Sequence, residues 1–248
     1  MKIGIAGYGF VGQAHESVFR ESHTIIISDP AKQHYGDLRH ADMLIICVST
    51  PEADDGSCDI SNVLDVLRNA PDVPILIKST ISLEGWNTIQ ELYPDKQISF
   101  SPEFLRAASA LEDFKKCDTI LIGGNGYYDW QTLFLDALGN INIRVLDVEQ
   151  LILVKYFRNS FLAAKVAFFN QIFDMCQKLD IDYEPVRKEI THDERIGESH
   201  TNITQDRGFG GHCFPKDTAA ILTTAKSAGV DLSILQEAVD YNNTFRND

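Results

Sequence analysis

A chain of 248 residues, 44% of them hydrophobic and 23% charged, has the apolar content of a globular protein with one large domain or two modest ones. A formal net charge of -14 argues against nucleic-acid binding, and requires that any anionic substrate be held by a few local cations. Five cysteines without a C-x-x-C pair point to a reducing compartment, the seven histidines show no metal-ligand spacing, and no apolar run approaches the ~20 residues of a membrane span.

The opening MKIGIAGYGFVG reads as a strand and a glycine turn, not a signal peptide, so a cytoplasmic protein is expected. Short β-branched runs at residues 2–6, 24–28, 43–48, 75–78, 97–100 and 119–122 predict strands, several apolar throughout, as in strands covered on both faces. Helices are expected between them at residues 11–20, 61–69, 83–92 and 127–138. This alternation predicts an α/β fold, a Rossmann-type doubly wound parallel sheet.

The pattern changes near Asp147. Residues 149–179 lack proline and glycine, which predicts one helix of about 45 Å at 1.5 Å per residue. Its apolar residues spread around most of the circumference, so it is either a central core helix or partly a subunit interface. A helix at 184–191, a polar stretch to Arg207, a cysteine loop and two final helices parted at Gly229 complete an all-α central domain. The expected division is 1–148 for a nucleotide-binding domain and 149–248 for the helical one.

Gly7-Tyr8-Gly9-Phe10-Val11-Gly12 follows the first strand and opens the first helix. In that context the first glycine makes the turn, the second admits a pyrophosphate and the third lets helix and strand pack closely. Asp29 ends the next strand, where a carboxylate accepts from a ribose diol, which favours NAD over NADP.

The segment GFGGHCFPKD at 208–217 places Cys213 between glycines and a predicted helix N-terminus, with Lys216 near and Asp217 four residues on. Partial positive charge there favours thiolate, so Cys213 is the candidate nucleophile, the alternative being a structural cysteine on a tight turn. His212 beside it either lowers the thiol pKa or is incidental. Lys155 and Asn159 stand i and i+4 on the long helix, hence on one face: a polar pair in a pocket or a solvated face.

Several segments in order resemble the UDP-glucose/GDP-mannose dehydrogenase family: GYGFVG, CVSTP at 47–51, DGSCDIS at 55–61, KST at 78–80, SPEFLR at 101–106, KYFRNSFLAAKVAFFN at 155–170, DERIG at 193–197 and GFGGHCFPKD. The resemblance implies NAD as cofactor, and oxidation of a nucleotide-sugar alcohol to the acid in two NAD-dependent steps. UDP-glucose to UDP-glucuronate, a UDP-glucose 6-dehydrogenase reaction of polysaccharide biosynthesis, is the expected case. It implies Cys213 as the thiohemiacetal- and thioester-forming residue, Lys155 and Asn159 as oxyanion stabilisers, Thr80 and Asp217 as holders of the hydrolytic water, and Glu103 as acid/base. By the same resemblance Val48, Thr50, Pro51, Ser79 and Thr80 join Gly7, Gly9, Phe10, Val11, Gly12 and Asp29 at the cofactor. Phe104, Leu105, Arg106, Phe209, Gly210 and Gly211 join Lys155 and Asn159 at the substrate. Arg195 matches an arginine that reaches the sugar, in relatives from the partner subunit, which is compatible with a homodimer through the long helix.

Alternatives stand beside several of these roles. Thr80 can cap a helix starting near Ser82, Glu103 can pair with Arg106, and Arg195 with Asp193 or Glu194. The other four cysteines read as packing or surface residues. The chain departs from the family pattern at Ala107, where a second glutamate is common, and in a short segment between Asp29 and Met43. Family members also continue into a C-terminal UDP-binding domain beyond the point matching Asp248, so weak nucleotide-sugar affinity is expected unless another chain supplies that wall. Two rival functions remain: a cofactor-binding module without turnover, and a small-hydroxyacid dehydrogenase using Lys155 alone.

Overall fold

The computed structural model describes residues 1–211 and 213–246. The chain divides into two compact units, Met1–Ala53 with Cys58–Lys155, and Asp54–Ser57 with Tyr156–Asp248.

In the first unit, the described strands β1 (Lys2–Ala6), β2 (Thr24–Asp29), β3 (His34–Tyr35), β4 (Met43–Ile46), β5 (Ile75–Ile77), β6 (Ile98–Phe100), β7 (Thr119–Gly124) and β8 (Asn142–Val145) form one sheet in the order β3-β2-β1-β4-β5-β6-β7-β8. Pairing is parallel except at β2–β3 and β6–β7. From β1 the chain steps to β2 on one side and later to β4 on the other, so the sheet reverses direction of growth at β1. That reversal opens a crevice beyond the carboxyl ends of β1 and β4. The Rossmann-type doubly wound fold is therefore present.

Helices α1 (Phe10–Phe19), α2 (Ser61–Asn69), α3 (Leu83–Leu92), α4 (Ala110–Lys115) and α5 (Tyr127–Leu138) connect the strands. Val18 and Phe19 of α1, Phe114 of α4, and Trp130 and Phe134 of α5 pack with Ile3, Ile45 and Ile122 in one apolar cluster. Successive strand residues face opposite ways, so Leu44 and Ile46 point to the other face and are equally buried. Burial on both faces explains why β4 reads MLII without alternation.

Among the described strands and α-helices, three escape the sequence reading. Strand β3 has two residues, β8 is a partly exposed edge strand, and α4 spans six residues, each too short or too mixed for a period to show. The antiparallel β6–β7 join depends on Gly124, at φ +94°, where a Cβ would lie 2.6 Å from the Ile98 carbonyl oxygen. The first helix begins at Phe10, one residue before the expected start.

Helix α6 (Val148–Lys178) is unbroken for 31 residues. In the second unit it is followed by α7 (Tyr183–His192), α8 (Phe214–Ser227) and α9 (Ser233–Asn242). Ala163 and Ala167 of α6 pack with Phe209, Phe214 and Val239. One turn of small residues there lets the loop before α8 lie close to the helix. Farther along, Phe169 and Cys176 pack with Tyr183 and Ile190. Gly229, at φ +73°, ends the run of α8, its amide bonded to the Lys226 carbonyl.

Candidate functional site

The glycine turn sits at the sheet's switch point. Gly7 has φ +87°, and a Cβ there would come within 2.5 Å of the Cys47 carbonyl oxygen. A Cβ on Gly12 would overlap the Gly7 carbonyl, whereas one on Gly9 would meet nothing within 4 Å. Two glycines thus permit internal contact, and the middle one leaves open space in front of the α1 N-terminus, where the free amides of Phe10 and Val11 favour an anion. Asp29, at the end of β2, accepts from the Tyr8 amide at 2.7 Å through one carboxylate oxygen. Ser79 Oγ donates to the Val48 carbonyl at 2.7 Å, tying the chain after β5 to the chain after β4. Thr50 is buried, and Pro51 accepts the Asp59 amide at 2.9 Å. Gly7 and Gly9, Asp29, Val48 and Ser79 therefore lie at or just beyond the carboxyl ends of β1, β2, β4 and β5 in the first unit.

Beyond β5 and β6 lies a buried ion pair. Lys78 Nζ stands 3.1 Å from Glu103 Oε2 and donates to Ser101 Oγ at 3.0 Å. Glu103 Oε1 accepts the amides of Phe104 and Leu105 at 2.7 and 3.0 Å, and the Glu103 carbonyl accepts from Lys155 Nζ at 2.5 Å. Lys155 also lies over the Phe104 ring, 5.5 Å from its centroid. Burial alone raises the Glu103 carboxyl, but Lys78, His15 and the Phe104 amide outweigh it and hold the pKa below the usual carboxylate value. His15, wholly buried, is pushed down to about 4 by burial and by Lys78. Cys47 is raised by burial and is a packing thiol.

In the second unit Cys213 is the N-cap of α8, exposed, with Pro215 in the first turn and its own carbonyl accepting the Asp217 amide at 2.9 Å. Asp217 is 1% exposed, yet both carboxylate oxygens are engaged: Lys216 Nζ at 2.7 Å and Asn159 Nδ2 at 2.6 Å. The approach loop is clamped. Asn242, on α9, accepts the Phe209 amide at 2.6 Å and donates to the Phe209 carbonyl at 3.0 Å. Asn170 Oδ1 accepts from Arg207 Nε at 2.8 Å and from the Gly208 amide at 3.2 Å, while Arg207 pairs with Asp174 at 2.7 Å. Gly210 admits the Arg246 guanidinium where a Cβ would sit, and Gly211 has φ +79°. Asn242→Ala is expected to leave Phe209 backbone groups buried and unpaired, at about 1–3 kcal/mol. Alkylation of Cys213 by iodoacetamide, timed in the variant and wild type, checks the loop: the rate should change severalfold.

Several sequence alternatives are now decided. Ser82, not Thr80, caps α3, accepting the Gly85 amide at 3.0 Å, while the Thr80 carbonyl accepts from Cys58 Sγ at 3.4 Å. Arg106 pairs with Asp113 at 2.6 Å instead of Glu103, because Lys78 already holds that carboxylate. Arg195 pairs with Asp193 at 2.5 Å and its side chain is 89% exposed; Lys165 anchors the same loop through the Ile196 and Gly197 carbonyls. Lys155 and Asn159 are buried, so they are not a solvated face. His212 lies outside the described residues. Among the described residues no His/Cys/Asp/Glu group is placed to hold a metal ion, and no helix is long and apolar enough to cross a membrane. The sequence reading passed over Lys78 and Asn242. A lysine closing the wholly apolar strand ILI was the available signal, since a buried charge needs a partner.

A glycine turn at the switch point of a doubly wound sheet defines a dinucleotide-binding unit, and the open face at Gly9, the α1 amides and Asp29 fit NAD. Two family models match, the NAD binding domain of the UDP-glucose/GDP-mannose dehydrogenase family over residues 31–133 and its central domain over residues 151–244. The chain belongs to that family. It is 34% identical over 219 residues to the UDP-glucose 6-dehydrogenase of Rickettsia felis, covering 83% of this chain and 48% of that protein. The chain spans about half the length of the curated relatives it matches. The structure of a UDP-glucose dehydrogenase from Pyrobaculum islandicum superposes with a TM-score of 0.84 at 26% identity, covering 98% of this chain and 68% of that one. A 3-hydroxyisobutyrate dehydrogenase from Mycobacterium tuberculosis shares the fold, with a TM-score of 0.76 at 17% identity over 100% of this chain and 94% of that one.

Proposed function

We propose that the protein oxidises the 6-hydroxymethyl group of UDP-glucose to the carboxylate, with residues 1–148 holding NAD and residues 149–248 carrying the covalent chemistry. The observation that carries this reading is Cys213 exposed at the α8 N-cap, one turn before a buried Asp217 carboxylate bonded to Asn159. NAD, when bound, supplies the hydride acceptor for both oxidations. Lys155 and Asn159, one turn apart on α6, stabilise the alkoxide and later the tetrahedral oxyanion. The Cys213 sulfur adds to the aldehyde carbon, and the carbonyl oxygen takes a proton, giving a thiohemiacetal; its oxidation leaves a thioester on the same sulfur. Water, oriented by Asp217 and Thr80, attacks the thioester carbon, and Cys213 leaves as the thiolate. Phe104, Leu105, Arg106, Arg195, Phe209, Gly210 and Gly211 contribute to sugar-nucleotide binding. Incubation with NAD and UDP-glucose should release two NADH per sugar, with product mass identifying the acid. No NADH with UDP-glucose, UDP-N-acetylmannosamine or GDP-mannose overturns the reading.

We further infer a cytoplasmic homodimer. The five free cysteines support a reducing compartment. Phe157, Phe161, Phe168 and Met175 of α6, with Leu179 just past its end, lie exposed at spacings of four and seven. Near its end Ile172, Met175, Leu179, Ile181 and Val186 line an almost wholly apolar groove of about 370 Å³. Such a stripe is the seam of a helix–helix interface. Light scattering should give twice the 27.8 kDa chain mass, and Phe161→Glu with Phe168→Glu should give the monomer.

A further inference from the structure

The buried pair of Lys78 and Glu103 has no part in the chemistry above, yet it is bonded to a residue that does. Lys78 closes β5 with its side chain 2% exposed, and Glu103 follows β6 with its side chain 13% exposed. The carboxylate bonds two successive amides, those of Phe104 and Leu105, and so fixes the turn after Glu103. That turn aims the Glu103 carbonyl at Lys155 Nζ. We propose that Lys78 is a positioning residue: its ammonium keeps Glu103 a carboxylate, and the carboxylate sets the carbonyl that anchors the ammonium of Lys155. The role of Lys155 rests on the proposed oxidation; the charge state of Glu103 does not.

The titratable groups around the carboxylate are Lys78 after β5, His15 on α1, Cys47 after β4, Cys117 before β7 and Lys155 on α6. His15 is neutral above a pH of about 4, and burial keeps both thiols protonated. Lys78 is therefore the cation paired with the carboxylate, at 3.1 Å.

With Lys78 present the Glu103 pKa is depressed, so its stabilisation is full above the unfolded value and is lost as pH falls through the folded one. Without Lys78 the burial contribution is left to dominate, and the folded pKa rises. The group then destabilises the fold at neutral pH, and the penalty disappears on acidification. The sign of the pH dependence inverts.

Thermal melting of wild type, Lys78→Met, Glu103→Gln and the double variant at pH 5 to 8 reads this directly. The Tm of Lys78→Met is expected to lie below that of the double variant at pH 8 and to converge on it towards pH 5. Coincidence of the two at every pH overturns the proposal. Should Lys78→Met fail to fold, the 13C titration of the Glu103 carboxyl in wild type decides, its signal assigned by loss in Glu103→Gln. A midpoint below 4.5 supports the proposal, and one at or above it overturns it. In the double variant kcat should fall at least tenfold with the KM for NAD within twofold; unchanged kcat removes the link to Lys155. A wild type without turnover refutes the proposed oxidation, and the melting and titration arms then decide the charge state alone.

Discussion

Cys213→Ser is expected to abolish acid formation, by three orders of magnitude or more, while NAD binding persists. A serine oxygen at the same N-cap keeps the hydrogen-bonding shape of the turn, but at neutral pH it is far less ionised and less nucleophilic than sulfur. The covalent intermediate therefore fails to form, and losses of roughly this size follow removal of a nucleophile that acts as a unit with its neighbours. Fold and cofactor site should be intact, because Cys213 is exposed and its carbonyl, not its sulfur, bonds the Asp217 amide. Product mass analysis and NAD titration by fluorescence quenching check both halves. Acid formation at the wild-type rate would favour a dehydrogenase that uses Lys155 without a thiol.

The second large effect concerns the glycine turn. Gly7→Ala places a methyl group 2.5 Å from the Cys47 carbonyl oxygen in a backbone conformation, φ +87°, that L side chains resist. Strain and overlap together should cost about 3–5 kcal/mol. Gly12→Ala meets the Gly7 carbonyl and should cost about 2–3 kcal/mol. Gly9→Ala meets no atom of the protein, so its stability should stay within about 0.5 kcal/mol while NAD affinity falls at least tenfold. Urea unfolding alongside NAD titration separates the three. Equal stability loss at all three positions would mean that Gly9 is not kept small for a ligand.

Where the chain repeats a period over enough residues, its elements are legible from the letters. The helices at 61–69, 83–92 and 127–138 have the boundaries that the apolar spacing and the turn residues predict. The long helix starts and ends within one residue of the span 149–179 predicted for it. The two-residue β3 and the six-residue α4 carry no such signal, because their conformation is imposed by neighbours already in place. The site divides in the same way. Cys213 and the glycine turn are recognisable because their chemistry depends on residues adjacent in sequence.

Lys78, Ser101 and Glu103 are a different case, since a charge pair is defined by which strands lie side by side. A salt bridge between Glu103 and Arg106, three residues apart, is the local guess; the structure replaces it with Lys78, 25 positions away on the neighbouring strand's end, and leaves Arg106 to Asp113. Asn242 likewise reaches back 33 positions to the cysteine loop. The sequence by itself determined the strand–helix alternation, the glycine turn and the thiol at a helix start, all consequences of backbone preferences and short-range spacing. Tertiary structure alone decided which buried charges meet and what holds the cysteine loop, because desolvated groups take the partners that packing presents, however distant along the chain.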